Sequence, residues 1–325
     1  PLFIMDGFAI SVQKLYDMDP NRIANITILK DAAATAMYGS RAANGVVVIT
    51  TVAPKPGEVS VAYSLTGTLS MPDLTDYNLM NAAEKLETEQ IAGLYTYDPD
   101  NENSDSQFEL DQLYNAKLAN AKRGVDTYWL SKPLRTVFNH KHSLYIEGGS
   151  EDIRFGLDLS YNNDNGVMKE SARNRYGVGL AVDYRVGGFQ IKNYISYNVT
   201  KSEESPYGTF SDYAQQQPYN EYKDEDGKFL KRTNEWTSTS GNPNPLYEAT
   251  LKNYDRSQTD ELINNLAVNW YINDYWLIKG QFSVTKTISK GESFLDPESE
   301  KNGTTLDSKN PISGELRTNE NNSFS

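Results

Sequence analysis

From Glu58 onward, apolar and polar side chains alternate along much of the chain. Val59, Val61, Tyr63, Leu65 and Leu69 fall on one side of an extended backbone and Ser60, Ala62, Ser64, Thr66 and Thr68 on the other, which predicts a strand. The same period of two recurs over 139–148, over Ile153 to Tyr161, and over Phe189 to Thr200. It is cleanest where Tyr176, Val178, Leu180, Val182, Tyr184 and Val186 interleave with Arg175, Gly177, Gly179, Ala181, Asp183 and Arg185. Two further strands follow, carried by Leu262, Leu266, Val268, Trp270 and Ile272 and by Trp276, Ile278, Phe282 and Val284. Leu316 to Ser325 reads as the start of another. Between the first two strands, 71–137 breaks the pattern and predicts two helices. One follows Asn81 with Glu84 three residues on, the other follows Ser106 with Glu109 in the same relation, and both are capping-box signatures.

The connections fall into two kinds. Gly148–Asp152, Gly187–Gly188 and Asn273–Asp274 are short turns, whereas 71–137, 162–172, 201–259 and 289–315 are longer and polar. Long and short alternate along the chain, so in an antiparallel sheet all short turns lie at one end and all long loops at the other. Tyr and Trp sit near the strand ends on the apolar faces. This is the arrangement of outer-membrane barrels, with short periplasmic turns and long external loops. Alternating strands also build soluble sandwiches and propellers. Two features favour the barrel: glycine and arginine on the second face of 175–185, where a sandwich core needs apolar groups, and strands of membrane-spanning length.

Residues 1–52 are organised differently. Leu2–Met5 is a strand stopped by Asp6-Gly7, and Asp19-Pro20 supplies a cap and a first-turn proline for a helical turn ending near Ala24. Ile26 to Lys30 reads as a strand, Asp31 as an N-cap and Ala32 to Tyr38 as a short helix. Gly39 closes that helix in the left-handed region, and Asn44-Gly45 turns the chain into the strand Val46 to Thr51. PLFIMDG at 1–7, the run DPNRIANITILKDAAATAMYGSRAANGVVVITT at 19–51, and their spacing closely resemble the second half of the plug domain of SusC/RagA-family TonB-dependent outer-membrane transporters. The residues that carry the resemblance are Asp6, Gly7, Lys30, Asp31, Tyr38, Gly39, Arg41, Asn44 and Gly45, in structural roles. Val52 to Gly57, with its two prolines, departs from the lysine- and glycine-rich continuation usual in the family, which touches only the linker.

The resemblance implies an α+β plug fragment followed by antiparallel transmembrane β-barrel strands, part of a large barrel of about 22 strands in the intact family. It divides the chain into a plug part at 1–52, a linker at 53–57 and wall strands at 58–325, with extracellular loops at 71–137, 201–259 and 289–315. It implies TonB-dependent import across the outer membrane of a Gram-negative bacterium, energised by TonB with ExbB and ExbD. A SusD-like surface lipoprotein would be the partner, oligosaccharides or peptides the cargo, and outer-membrane lipid the surroundings of the wall. A siderophore or cobalamin receptor, and a β-rich surface binding protein without transport function, are the alternatives. The chain starts at Pro1 without an initiator methionine or signal peptide, so it reads as an excerpt.

Composition changes this picture little. Mean hydropathy is low and no run is apolar enough for a membrane helix, but alternation hides a barrel wall from that test. A net charge of −13 argues against nucleic acid as a partner, and the absence of cysteine removes disulfide and thiolate-metal chemistry. No catalytic constellation emerges, so an enzyme is not expected, nor is a cofactor or metal. His140 and His142 share a strand face and would make only half a metal site. Asp224-Glu-Asp-Gly227 has its glycine too early for a calcium loop and reads as a hairpin tip, and the acidic run Asp98 to Asp105 reads as solvated. Aromatics crowd the 201–259 segment. Of these, Tyr207, Tyr219, Tyr222 and Trp236 are candidate sugar-stacking residues, the alternative being that they pack the loop itself.

Overall fold

In the plug part of this computed structural model, which describes residues 1–30, 38–100, 105–233, 242–302 and 314–325, four short strands form one sheet. They are β1 (Leu2–Met5), β2 (Phe8–Ile10), β3 (Ile23–Leu29) and β4 (Val46–Thr51), in the order β2-β1-β4-β3. β1 runs parallel to β4, and the other pairs are antiparallel. The Asp6-Gly7 stop is a tight hairpin turn with both residues left-handed, at φ 50° and 93°. A helix at Val12–Asp17, which the hydrophobic pattern did not announce, starts at Ser11, whose hydroxyl accepts from the Lys14 amide. Asp19 caps a single 3-10 turn, Pro20–Arg22, so β3 begins at Ile23, earlier than the apolar run from Ile26 predicts. The Asp31 cap and the helix body before Tyr38 lie outside the described residues. Gly39 (φ 69°) and Gly45 (φ 85°) adopt the left-handed conformation expected of them. Ile4, Ala42 and Val46 are buried at the centre of this sheet, with Leu2, Leu29, Tyr38 and Val48 packed around them.

The wall is an eight-stranded antiparallel sheet in which each strand pairs with its neighbours in sequence. Its first five strands are β5 (Gly57–Ser70), β6 (Val137–Gly149), β7 (Ile153–Asn165), β8 (Ala172–Val186) and β9 (Phe189–Glu203). The next connection carries a minor pair, β10 (Arg232–Thr233) with β11 (Asn242–Pro243). The sheet then resumes with β12 (Tyr254–Asn273), β13 (Trp276–Leu295) and β14 (Glu315–Phe324). Short turns and long connections segregate to opposite ends, as the alternation requires. Both helices of the insertion form, at Ala82–Ile91 and Gln107–Lys122, and both capping boxes are made.

Several strands continue beyond the residues that alternation marks: β7 to Asn165, β13 to Leu295, and β12 backwards to Tyr254. The cause is visible in the side chains. Toward the long-loop end the outward positions become polar, so the hydrophobic period vanishes while the backbone ladder goes on. In the cross-strand row Asn174, Lys201, Gln258, Lys290 and Glu320, and the next row Ala172, Glu203, Arg256, Glu292 and Thr318, little is apolar. Below these rows the outward face is apolar from Tyr176 to Val186 and from Leu262 to Ile272, apart from one asparagine. At about 3.3 Å per residue and a tilt of about 40°, the stretch from Val186 to Tyr176 stands about 25 Å tall, the height of a barrel's lipid-facing band. Val59, Val61, Tyr63 and Leu65 are each about 60 % exposed on that face, an apolar strip that water would not tolerate at this size. Aromatic rings border it: Tyr161 stacks on Tyr176 at the upper edge and Phe189 on Trp270 at the lower.

Ile49 is fully buried in the plug sheet, so Ile49→Ala should cost about 2–4 kcal/mol of plug stability. Limited proteolysis of detergent-purified protein should then cut the plug faster, with the wall as resistant as before.

Candidate functional site

The seam between plug and inner wall begins with sequence positions that alternation points inward. Arg175 on β8 reaches Asp17 of the plug helix at 2.9 Å and Asp164 on β7 at 2.6 Å. Asn162 donates to Asp17 at 3.3 Å, and Ser64 donates to Asp19 at 2.8 Å. Lys141 donates to the backbone carbonyls of Tyr16 and Met18, which closes the C-terminal end of the plug helix with a cation, as its dipole favours. Arg22 lies over the Tyr145 ring at 3.4 Å. The inward Arg175 of β8 thus serves the plug, while Gly177 and Gly179 lie against the wall residues Ser160, Asn198 and Tyr194. The plug-side residues Asp17, Asp19 and Arg22 were not foreseen. The one available signal was Asp19-Pro20, which sets a capped turn just where the wall needs charge.

A second fixture lies at the plug's exit. The Asp6 carboxylate accepts from the Thr51 amide at 2.9 Å and from its hydroxyl at 2.6 Å, which ties the first plug turn to the last plug strand. Gly7 sits against Gln281 of β13, and a Cβ there would fall 2.5 Å from its amide nitrogen. These two contacts give Asp6 and Gly7 a physical role. Tyr38 packs on the plug core, Gly45 passes close to the Leu29 carbonyl, and Lys30, Arg41 and Asn44 are exposed. Between the plug's exit strand and the wall lies a cavity of about 360 Å³, lined by Arg22, Asp158, Asp183 and Lys192 among others.

At the long-loop end, the candidate aromatics turn out to sit within loop cores. Tyr219 is 2 % exposed and packs with Ala82, Leu86 and Tyr95 of the helical insertion. Its hydroxyl donates to Glu89 at 3.0 Å, and that of Tyr95 donates to the same carboxylate at 2.5 Å. Burial and the adjacent Glu89 raise the pKa of both phenols above the usual tyrosine value, so both remain donors at neutral pH. Lys85 is 3.4 Å from Glu89, and Lys117 lies 5.1 Å from the Tyr219 ring. Burial draws the Lys117 pKa down while Glu89 opposes it. The Trp129 indole donates to the Gln217 carbonyl at 2.9 Å, completing the join between insertion and loop.

Tyr222 contacts Trp129 edge-on at 5.7 Å, and Tyr207 packs with it around a second core of Trp129, Tyr213 and Leu246. Both rings remain partly open, with Lys132 over Tyr222 and Lys169 over Tyr207. Trp236 lies outside the described residues. A second buried carboxylate binds the next loop: Glu248, 1 % exposed, accepts from the Ser299 hydroxyl at 2.6 Å and the Glu300 amide at 2.8 Å. Three long connections are therefore joined in series through Glu89 and Glu248.

His140 and His142 share the outward face, with His142 Nε2 3.1 Å from His140 Nδ1 and the Tyr63 hydroxyl 2.7 Å from His142 Nδ1. They sit in the aromatic border beside Tyr161. Among the described residues, no three His, Asp or Glu side chains converge as a metal site. Asp224–Gly227 is a hairpin tip, with Gly227 at φ 81° and the Lys228 amide donating to the Asp224 carboxylate. Part of the Asp98–Asp105 run lies outside the described residues.

The profile of the TonB-dependent Receptor Plug Domain family matches residues 1–46. TonB-dependent receptor SusC of Bacteroides thetaiotaomicron is 26 % identical over 310 residues, which covers 83 % of this chain and 27 % of SusC. Over most of its length the chain is similar to SusC/RagA-type TonB-dependent receptors. TonB-dependent receptor P26 of Formosa agariphila is 28 % identical over 314 residues, covering 92 % of this chain and 29 % of P26. The chain thus spans under a third of the length of these relatives. Its fold matches that of a chain of the RagAB peptide importer in the closed-closed state, with a TM-score of 0.76 at 21 % identity, over 100 % of this chain and 38 % of that one. Plug fragment and partial barrel wall are both contained in that match.

Arg175→Met should leave Asp17 and Asp164 without their shared cation and weaken plug seating by about 1–3 kcal/mol. Faster hydrogen exchange over residues 12–22 would register it, with the wall unchanged. Tyr219→Phe removes one of two phenol donors from Glu89 and should cost about 1 kcal/mol. The readout is exchange over 82–91 and 216–222 rising together, since the two segments share one core.

Proposed function

We propose that the full-length receptor imports a nutrient across a Gram-negative outer membrane in a TonB-dependent way, with this chain supplying the C-terminal part of the plug and the first part of the wall. The observation that carries this reading is the two-faced wall. Its inner face holds the plug through Arg175 and Lys141, while its outer face is apolar over about 25 Å. Residues 53–57 then act as the linker from plug to wall, and the connections at 71–137, 201–259 and 289–315 face the exterior. Oligosaccharides or peptides are the proposed cargo, a reading supported by the relative named SusC and by the fold shared with a chain of a peptide importer. Tyr207 and Tyr222 are the sequence candidates whose rings a cargo can reach. Tyr219 is spent on the loop core.

A SusD-like surface lipoprotein is the proposed partner at the loop end, and the helical insertion its seat. Ile91, Leu94 and Phe108 are 79 %, 61 % and 70 % exposed at one end of the helix pair, large apolar groups facing outward where a partner would cover them. Deleting 75–125 would also remove Glu89 and Tyr95, and with them the support of Tyr219, so point changes are the sharper probe.

The test uses the full-length receptor extracted from outer membranes in mild detergent. A lipoprotein should co-purify in equal amount, and Ile91→Ser with Phe108→Ser should lower its yield at least tenfold without loss of the barrel. Uptake of an oligosaccharide or peptide should vanish when TonB is deleted. Growth dependence on an iron chelate or corrinoid would replace the cargo assignment, and a protein absent from the membrane fraction would overturn the reading.

A further inference from the structure

The outward face of the wall continues above the apolar band. Directly over the Tyr161–Tyr176 stack, one cross-strand row runs His140, Asn163, Asn174, Lys201, Gln258 and Lys290, each the ladder partner of the next. It stands about 5 Å above the stack, given about 3.3 Å per residue and a strand tilt of about 40°. Every member is polar, and the row holds no carboxylate until Glu320 on β14 closes it. At this height beside a barrel the surroundings are lipid headgroups, whose layer is about 5–8 Å deep on each side of the hydrocarbon.

Three adjacent members of the row have hydrogen-bonding capacity to spare. Asn174 Oδ1 accepts from the Asn163 amide at 2.8 Å and from the Tyr161 hydroxyl at 3.2 Å, which leaves its Nδ2 as a free donor. Gln258 Nε2 donates to Asp260 at 3.0 Å, which leaves its Oε1 as a free acceptor. Between them, Lys201 makes no ion pair or hydrogen bond among the described residues. Two of the neighbouring carboxylates are engaged: Glu292 accepts from Arg256 at 3.0 Å, and Glu320 lies 3.9 Å from Lys290. Glu203, one row higher, has no partner among the described residues. A cleft of about 690 Å³ opens over this surface, and Asn174, Lys201, Glu203, Arg256, Gln258 and Lys290 are among its lining residues.

Resting on the reading of this wall as a membrane barrel, we propose that the cleft binds the phosphate-bearing sugar headgroup of an outer-leaflet glycolipid, whose acyl chains lie along the apolar band below. Sugar hydroxyls both donate and accept, so they match the Asn174 donor and the Gln258 and Glu203 acceptors, while the phosphate meets Lys201. Neighbouring strands stand about 4.8 Å apart, so Asn174 to Gln258 spans about 10 Å, the length of a disaccharide rather than of a lone phosphate. The occupant is argued from depth and from charge. Depth makes it a lipid headgroup. Charge makes it a sugar: the cleft holds three cations, Lys201, Arg256 and Lys290, against Glu203, Glu292 and Glu320, so a largely neutral ligand with one anionic group fits where a purely anionic one would meet repulsion. A glycerophospholipid headgroup supplies the phosphate but too few hydroxyls to use the free donor and both free acceptors.

The experiment uses the full-length receptor, extracted from outer membranes in mild detergent, with its retained lipids released and identified by native mass spectrometry. The native receptor should carry a phosphorylated glycolipid. Lys201→Glu with Gln258→Ala should lower its occupancy at least tenfold, and Lys201→Gln alone, which removes only the charge, at least threefold. Retained phospholipid should not change in either variant. Both positions lie outside the apolar band, so the barrel should keep its heat-modifiable migration. Lys228→Glu, the same change of charge at the tip of the Asp224–Gly227 hairpin, should leave glycolipid occupancy as it was. A native receptor without glycolipid, occupancy indifferent to the Lys201 variants, or loss of phospholipid in place of glycolipid would each overturn the proposal. Membrane fractionation separates the two levels: a receptor outside the membrane defeats the barrel reading, whereas a membrane-bound receptor without glycolipid defeats only this site.

Discussion

Everything in this chain depends on the strand-to-strand hydrogen-bond ladder. In hydrocarbon an unpaired amide or carbonyl has no substitute for its partner, so a wall can cross only as strands that satisfy one another. Once the ladder is fixed, side chains fall alternately on two faces, and the two faces meet different solvents. Outward positions become Val, Leu, Ile and Tyr, while inward positions are free to become Gly, Arg, Lys and Asn. The same backbone constraint thereby makes both the lipid band and the polar bed on which the plug lies.

The plug is seated on that bed by charge rather than by apolar packing. Arg175, Lys141, Asn162 and Ser64 meet one short stretch, Tyr16 to Asp19, where a helix ends and a capped turn begins. Contacts of this kind are specific in geometry yet individually modest, because water can replace each of them as it breaks. Such an interface fixes the plug in register through the geometry of its polar contacts. The Asp6 contact with Thr51 works within the plug, joining its first turn to the strand that leads out to the wall.

At the opposite end the loops have a different physics. Outside the lipid band they fold as water-soluble protein does, around small cores of Tyr, Trp and Leu with buried carboxylates satisfied by neighbouring donors. Glu89 and Glu248 each reach from one connection into another, so three loops of very different sequence position form one connected cap. Their large exposed groups, Ile91 and Phe108, lie on the outside of that cap rather than in its joints.

The sequence by itself determined the long wall strands and three of the four plug strands, β1, β3 and β4, while β2 went unannounced. Period-two alternation is imposed residue by residue by the pleat, capping boxes act within one turn, and Gly39, Gly45 and Gly187 mark backbone turns that need no tertiary partner. Such signals are local, and so they are legible. Where the outward face turns polar, at Lys201 or Arg256, alternation ends although the strand does not, and only the ladder shows how far it runs. Tertiary structure alone decided that Tyr219 is bound to Glu89 across a large sequence separation, that Arg175 answers Asp17, and that Asn193 and Asn264 meet within the lipid band. Each of those contacts joins residues from different strands or loops, and a partner chosen by the fold leaves no period in the chain to read.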